Sequence, residues 1–171
     1  MSRPDPQTLP PYYRKYVDYV MDLDLPDALK KADRLTQELL QSVPETKGNF
    51  RYAEGKWSIK EVLNHIMDAE RVFAYRALRF SRNDQTPLPS FEENEYAGQA
   101  NADSRTIKQL AAEMHRLRET SIDLFASCTT EMLRRTGTAS NNKISVINLG
   151  YIIAGHDLHH RSILLERYLN G

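Results

Sequence analysis

His156 and His160 stand four residues apart in Gly155-His156-Asp157-Leu158-His159-His160, a spacing that puts two imidazoles on one helical face, one turn above the other. Leu149, Ile152 and Ile163 fall on the same face, which makes it the buried one. Two inward imidazoles can hold one divalent ion at the usual zinc–nitrogen distance of about 2.0–2.1 Å. His65 lies beside Val62 and Ala69, at the edge of another apolar stripe, and can point into the same interior. Three histidines leave positions on a metal open to water or substrate, as catalytic rather than closed structural zinc sites do. The chemistry implied is activation of a nucleophile. An H-x-x-x-H pair alone is a weak motif, and two hydrogen-bonded core histidines fit the spacing as well.

The remaining polar residues near these positions divide by helical angle. His156 and His159, at i and i+3, could also chelate, but His159 lies about 60° round the wheel from His156, on the side away from His160. It reads as solvent-facing or as a support for the ligands. His115, between Met114 and Arg116, reads as a solvated or capping histidine. Asp68, three residues after His65, is a candidate to orient that imidazole, since metal-bound histidines usually donate their free N–H to a carboxylate or carbonyl. Glu70 with Arg71 reads as helix-surface charge, and Asp157, about 100° off the ligand face, as surface too. Arg76 falls nearly in line with His65 three turns on; it can meet an anionic substrate or form an ion pair at the bundle rim. Cys128 reads as a buried small hydrophobe.

The elements that must carry these residues are helical. The polar, proline-rich start gives way to Tyr12, Tyr13, Tyr16, Val17, Tyr19 and Val20, a short helix closing over the core. A first long helix begins near Asp24 to Asp27, with Asp24 as N-cap and Pro26 in the first turn, and Pro44 ends it near Val43. Ser58-Ile59-Lys60-Glu61 is a capping box, with Trp57 placed to staple onto Val62, and Val62, Ile66, Ala69 and Phe73 recur at helical spacing down to Phe80. From Ser81 to about Ala102 no period holds. So long a connection either crosses the length of a bundle or covers something. A third helix runs from Asp103 or Ser104 to Phe125, and a last one starts at Ser145, where Gly150 and Gly155 allow close approach to its backbone. No period-2 strand is evident. The expectation is an all-α four-helix bundle with a long crossover between the second and third helices, one domain over residues 1–171.

Bulk properties exclude several partners. Lys plus Arg is 23 and Asp plus Glu is 23, so no net field draws in nucleic acid or an anionic membrane. No apolar run nears the ~20 residues of a membrane span. One cysteine cannot make an intramolecular disulfide, and the reading is a cytoplasmic protein.

Several motifs, in order, resemble one family. Trp57 to His65, Asp68-Ala69-Glu70-Arg71 and Tyr75-Arg76 are similar to the second helix of DinB-like proteins. Pro87-Leu88-Pro89, Phe91, Glu93-Asn94 and Tyr96 resemble the crossover of the branch holding the bacillithiol S-transferases and metal-dependent hydrolases. Gly155 to His160, followed by Glu166-Arg167-Tyr168-Leu169, resembles that branch's last helix. The resemblance implies up-down-down-up connectivity, a homodimer, and one divalent ion, zinc or nickel, on His65, His156 and His160. It further implies a small-molecule substrate, and transfer of a low-molecular-weight thiol or hydrolysis as the reaction.

Overall fold

The computed structural model describes residues 3–170. Its elements are α1 (Pro11–Val17), α2 (Leu25–Ser42), α3 (Ile59–Ser81), α4 (Glu93–Gln99), α5 (Ile107–Ala126), α6 (Thr130–Arg134), β1 (Thr136–Ala139), β2 (Asn142–Ser145) and α7 (Val146–Ile163), which runs on into a π-helical turn, Leu164–Leu169. The four long helices, α2, α3, α5 and α7, are the expected bundle. The capping box forms as read: Ser58 Oγ accepts from the Glu61 N–H at 3.2 Å, and Glu61 accepts from the Ser58 N–H at 2.6 Å. Asp24 is the N-cap residue of α2, although its side chain makes no capping hydrogen bond. The third long helix starts later than expected, at a second capping box made by Thr106 and Gln109.

Cross-helix contacts fix the directions. Lys60 donates to the Asp103 carbonyl and Arg118 pairs with Glu70, so residue numbers rise together and α3 and α5 are parallel. Tyr151 with Leu23 and Asp157 with Thr36 show the same for α2 and α7. Trp57 with Tyr168 and His65 with His156 make α3 antiparallel to α7, while Leu29 with Arg118 and Gln37 with Ala111 make α2 antiparallel to α5. This is up-down-down-up order. Parallel neighbours need a connection as long as the bundle, which is why twenty-five residues separate α3 from α5. The crossover is pinned in its first third, where the Leu88 N–H donates to the Thr138 carbonyl at 2.9 Å and the Ser140 N–H donates to the Leu88 carbonyl at 3.0 Å.

That anchor is a correction. Thr136–Ala139 and Asn142–Ser145 form a β-hairpin where no strand was expected. Strands of four residues are too short for alternation to register, and the turn signal lay in Ser140-Asn141, both at positive φ (49° and 61°).

The apolar core lies in two clusters, one around Leu29, Phe73, Phe80 and Ile152, the other around Leu63, Ile66, Leu110 and Leu164. Between them on the long helices sit polar residues. Arg118 donates to both Glu70 oxygens at 2.9 Å, to Asp157 at 3.0 Å and to the Leu29 carbonyl at 3.1 Å, while Thr36 donates to Asp157 at 2.6 Å. All four long helices meet in this network. Glu70 and Asp157, read from sequence as surface charges, are therefore buried, at 4% and 2% exposure. Asp157 turns away from the ligand face of α7, but α7 is enclosed on every side there, so turning away still leads into protein. Burial raises the Asp157 pKa to about 6, with Arg118 and Thr36 opposing the shift. Burial alone would lower Arg118, yet the two carboxylates outweigh it and hold the guanidinium protonated. Cys128 is half-buried rather than buried, at the end of α5, with its Sγ 3.4 Å from the Leu124 carbonyl.

Gly155 lets α1 lie directly on α7. A Cβ built there would stand 2.0 Å from the Tyr16 carbonyl oxygen. Backbone against backbone leaves no flexible atom to move aside, so Gly155→Ala is expected to cost about 1–3 kcal/mol. In a chain of this size each kcal/mol lowers Tm by about 2–4 °C, which thermal unfolding would read. An unchanged Tm would mean that α1 is not held against α7.

Candidate metal centre

His65 enters from α3, about two turns past the Ser58 cap, and His156 and His160 come from successive turns of α7. Antiparallel packing brings the three together across the interface. His156 Nε2 lies 3.1 Å from His65 Nε2 and 3.1 Å from His160 Nε2, and the ligand atoms of all three fall within 4.8 Å of one another. His65 and His156 are buried and His160 is half-buried. Burial drives the His65 pKa down to about 4. Burial first, then the neighbouring histidines, pushes His156 and His160 well below the ordinary value. At neutral pH all three are uncharged imidazoles, the form that binds metal.

The donor set fits a cation. A single Nε2 carries one proton or one lone pair, so His156 cannot make a linear hydrogen bond to both neighbours at once. A shared positive ion satisfies all three lone pairs. Ligands about 2.0–2.1 Å from a tetrahedral zinc ion stand about 3.3–3.4 Å apart, so slight spreading of the rings accommodates one.

Aromatic rings fix the imidazoles. The Trp57 ring lies 4.7 Å from His65, and the Tyr16 ring 5.3 Å from His156 at 88°. Asp68, a candidate either to orient His65 or to stand as helix-surface charge, is engaged by Asn64 Nδ2 at 2.7 Å and by Arg71. His159 is half-buried and packs against the Tyr16 and Tyr19 rings, with its nitrogens outside the three-nitrogen group. His115 is exposed and pairs with Asp33 at 2.8 Å, as read.

A cavity of about 260 Å³ opens onto His65 and His156. Its walls are Tyr13 and Tyr16 of α1, Phe73 and Arg76 of α3, and Phe91 and Glu93 of the crossover. The crossover thus both spans the bundle and covers something. A second recess, about 230 Å³, reaches His160 from the far side, between Trp57 and Tyr168, and Glu93 borders both. Glu93 is the acidic group nearest the histidines, its Oε2 4.0 Å from His65 Nε2, with its side chain half exposed. Sequence pattern gave Glu93 no role because it lies in the aperiodic crossover, on a helix too short to show a period.

The DinB superfamily family model matches residues 28–164 of this chain. A "putative metal-dependent hydrolase" of Oceanobacillus iheyensis is 26% identical over 145 residues, 80% of this chain and 81% of that protein. Among solved structures, YfiT from Bacillus subtilis, described as "a probable metal-dependent hydrolase with an unusual four-helix bundle topology", superposes with a TM-score of 0.72 at 14% identity, covering 83% of this chain and 82% of that one. A DinB-like protein of Bacillus subtilis, YjoA, gives 0.59 at 19% identity, with 82% and 86% coverage. The mycothiol-dependent maleylpyruvate isomerase gives 0.60 at 14% identity, over 85% of this chain and 62% of that one.

Proposed function

The chain belongs to the DinB superfamily, and from that premise we propose that it is a metal-dependent enzyme whose His65, His156 and His160 hold one divalent ion, zinc or nickel. The observation that carries the reading is the convergence of three neutral imidazole nitrogens, two of them, on His65 and His156, lining an open cavity. A divalent ion bound there lowers the pKa of a coordinated thiol or water and so supplies a nucleophile near neutral pH. Glu93 is placed to accept the proton that is lost, and its half exposure lets it pass the proton to solvent. Tyr13, Tyr16 and Phe73 keep bulk water from the histidines and shape the space where a substrate sits.

Of the two nucleophiles we put the thiol first: the protein acts as a low-molecular-weight thiol S-transferase. Two recesses that share Glu93, one reaching His65 and His156 and the other His160, suit a reaction with two substrates. Hydrolysis is the second reading, favoured by the name of the Oceanobacillus relative. The same proposal takes residues 1–171 as one domain, working as a cytoplasmic homodimer on a small molecule. Among the described residues no helix is long and apolar enough to cross a membrane.

Metal-loaded protein incubated with bacillithiol, mycothiol or glutathione and monochlorobimane should accelerate conjugation, and a nitrophenyl ester offered without thiol should remain intact. Ester cleavage without thiol would establish hydrolysis instead. No acceleration in either assay would leave a metal-binding module that is not an enzyme.

A further inference from the structure

Arg76 is a buried cation without a counter-charge. Its residue exposure is 3%, and among the described residues no carboxylate comes within ion-pair distance of it. Its partners are neutral oxygens. Nη2 donates to the Pro89 carbonyl at 2.7 Å and to Ser140 Oγ at 3.1 Å, and the Tyr13 phenol lies alongside. The contrast with Arg118 is direct, since that buried guanidinium is matched by two carboxylates. Burying an uncompensated charge costs several kcal/mol, and a neutral side chain could have held the crossover carbonyl and the hairpin tip as well.

The guanidinium lines the same cavity as His65 and His156. Phe73 lies between the two ends, its ring centroid 5.8 Å from the Arg76 guanidinium carbon and 6.2 Å from the His156 ring. The cavity therefore offers a cation at one end, an aromatic floor, and the imidazoles of His65 and His156 at the other. We propose that Arg76 is the specificity-determining residue of this cavity, binding the carboxylate of a small acid whose apolar middle lies over Phe73 and whose reacting group is presented to the histidines. The last clause rests on the reading of the histidines as a metal centre; anion binding by Arg76 does not. The planar fork of arginine matches a carboxylate with two parallel hydrogen bonds. Glu92 and Glu93 at the cavity wall add negative charge, which favours a monoanion over a doubly charged phosphate.

The test is a calorimetric titration with phenylpropanoate and its uncharged isostere phenylpropanamide, on chelator-stripped protein so that the acid cannot bind a metal instead. The acid should saturate the wild type in the millimolar range, with the amide weaker by about 10–100-fold, the span expected for charge-assisted hydrogen bonds. Arg76→Gln should lose that preference while its helical signal, and its metal content before stripping, match the wild type. If Arg76→Gln does not fold, Arg76→Lys is read in its place and should keep a reduced preference for the acid. Equal binding of acid and amide by the wild type, no saturable binding of either, or undiminished acid binding in Arg76→Gln would each overturn the assignment. Carboxylate binding without metal-dependent turnover would leave it standing and remove the enzyme reading alone.

Discussion

His156→Ala is expected to abolish the binding of the one divalent ion per chain that elemental analysis should find in the wild type. His156 is the central donor, with its Nε2 at 3.1 Å from both partners, and a three-ligand site holds none in reserve. Losing only a supporting hydrogen bond costs metal sites about 10–100-fold in affinity, so loss of the donor should exceed roughly 100-fold. His65→Ala should behave alike, with helical content retained because Val62, Leu63, Ile66 and Met67 still hold α3 in the core. His159→Ala is the control, since its ring packs on Tyr16 and Tyr19 and its nitrogens fall outside the three-nitrogen group. Loss of metal in the His159 variant equal to that in His156→Ala would show that the wrong face of α7 had been assigned. Full occupancy in His65→Ala would dismantle the three-histidine centre.

Arg118→Met should be the most destabilising single substitution in the bundle. It leaves Glu70 and Asp157 buried and facing one another, and removing one partner of a buried ion pair costs about 3–5 kcal/mol. The penalty should depend on pH. Asp157 in the intact protein already has a folded pKa of about 6, above the ordinary 3.8, so the folded state binds its proton more tightly than the unfolded state. Stability from this group is highest at low pH and falls as pH rises toward that value. Without Arg118 the folded pKa climbs further, the falling window extends upward, and the variant should lose more relative to wild type at pH 8 than at pH 5. Urea unfolding at the two pH values reads this directly. A loss below about 1 kcal/mol at both would mean that the network is wetter than its burial indicates. Replacing all three charged residues by apolar ones of similar volume should recover much of the loss.

The parts of this protein that could be read from its sequence are those with a local signature. The Ser58 capping box, the proline at the start of α2 and the repeat Val62, Ile66, Ala69, Phe73 each act within one turn or one face, and each is found in the structure. The same holds for the angular argument that brings His156 and His160 together and sets His159 aside. The Arg118 network failed to show because burial of Glu70 and Asp157 depends on which helices enclose α3 and α7, and helical angle says nothing of the far side of a helix packed all round. Asp68 was left open by sequence, between support for His65 and helix-surface charge, for a related reason. Its neighbours Asn64 and Arg71 lie on its own helix and hold it before any imidazole can. The hairpin and Glu93 sit where strand or helix is too short to impose a period.

The division between rigid and replaceable parts around the cavity bears on how this protein can change over generations. The three imidazoles stand on α3 and α7, locked by the core and by the Arg118 network, so the position of an ion is fixed by the bundle itself. Most of the surface a substrate would touch comes from elsewhere: the tyrosines of α1, the stretch from Ser90 to Glu93, and Ser140 at the hairpin tip. Loops tolerate insertion and replacement far better than core helices do. New substrates can therefore be tried by redrawing the crossover and the hairpin tip, clamped to each other at Leu88, while α1, seated on Gly155, and the chemistry they surround are inherited unaltered.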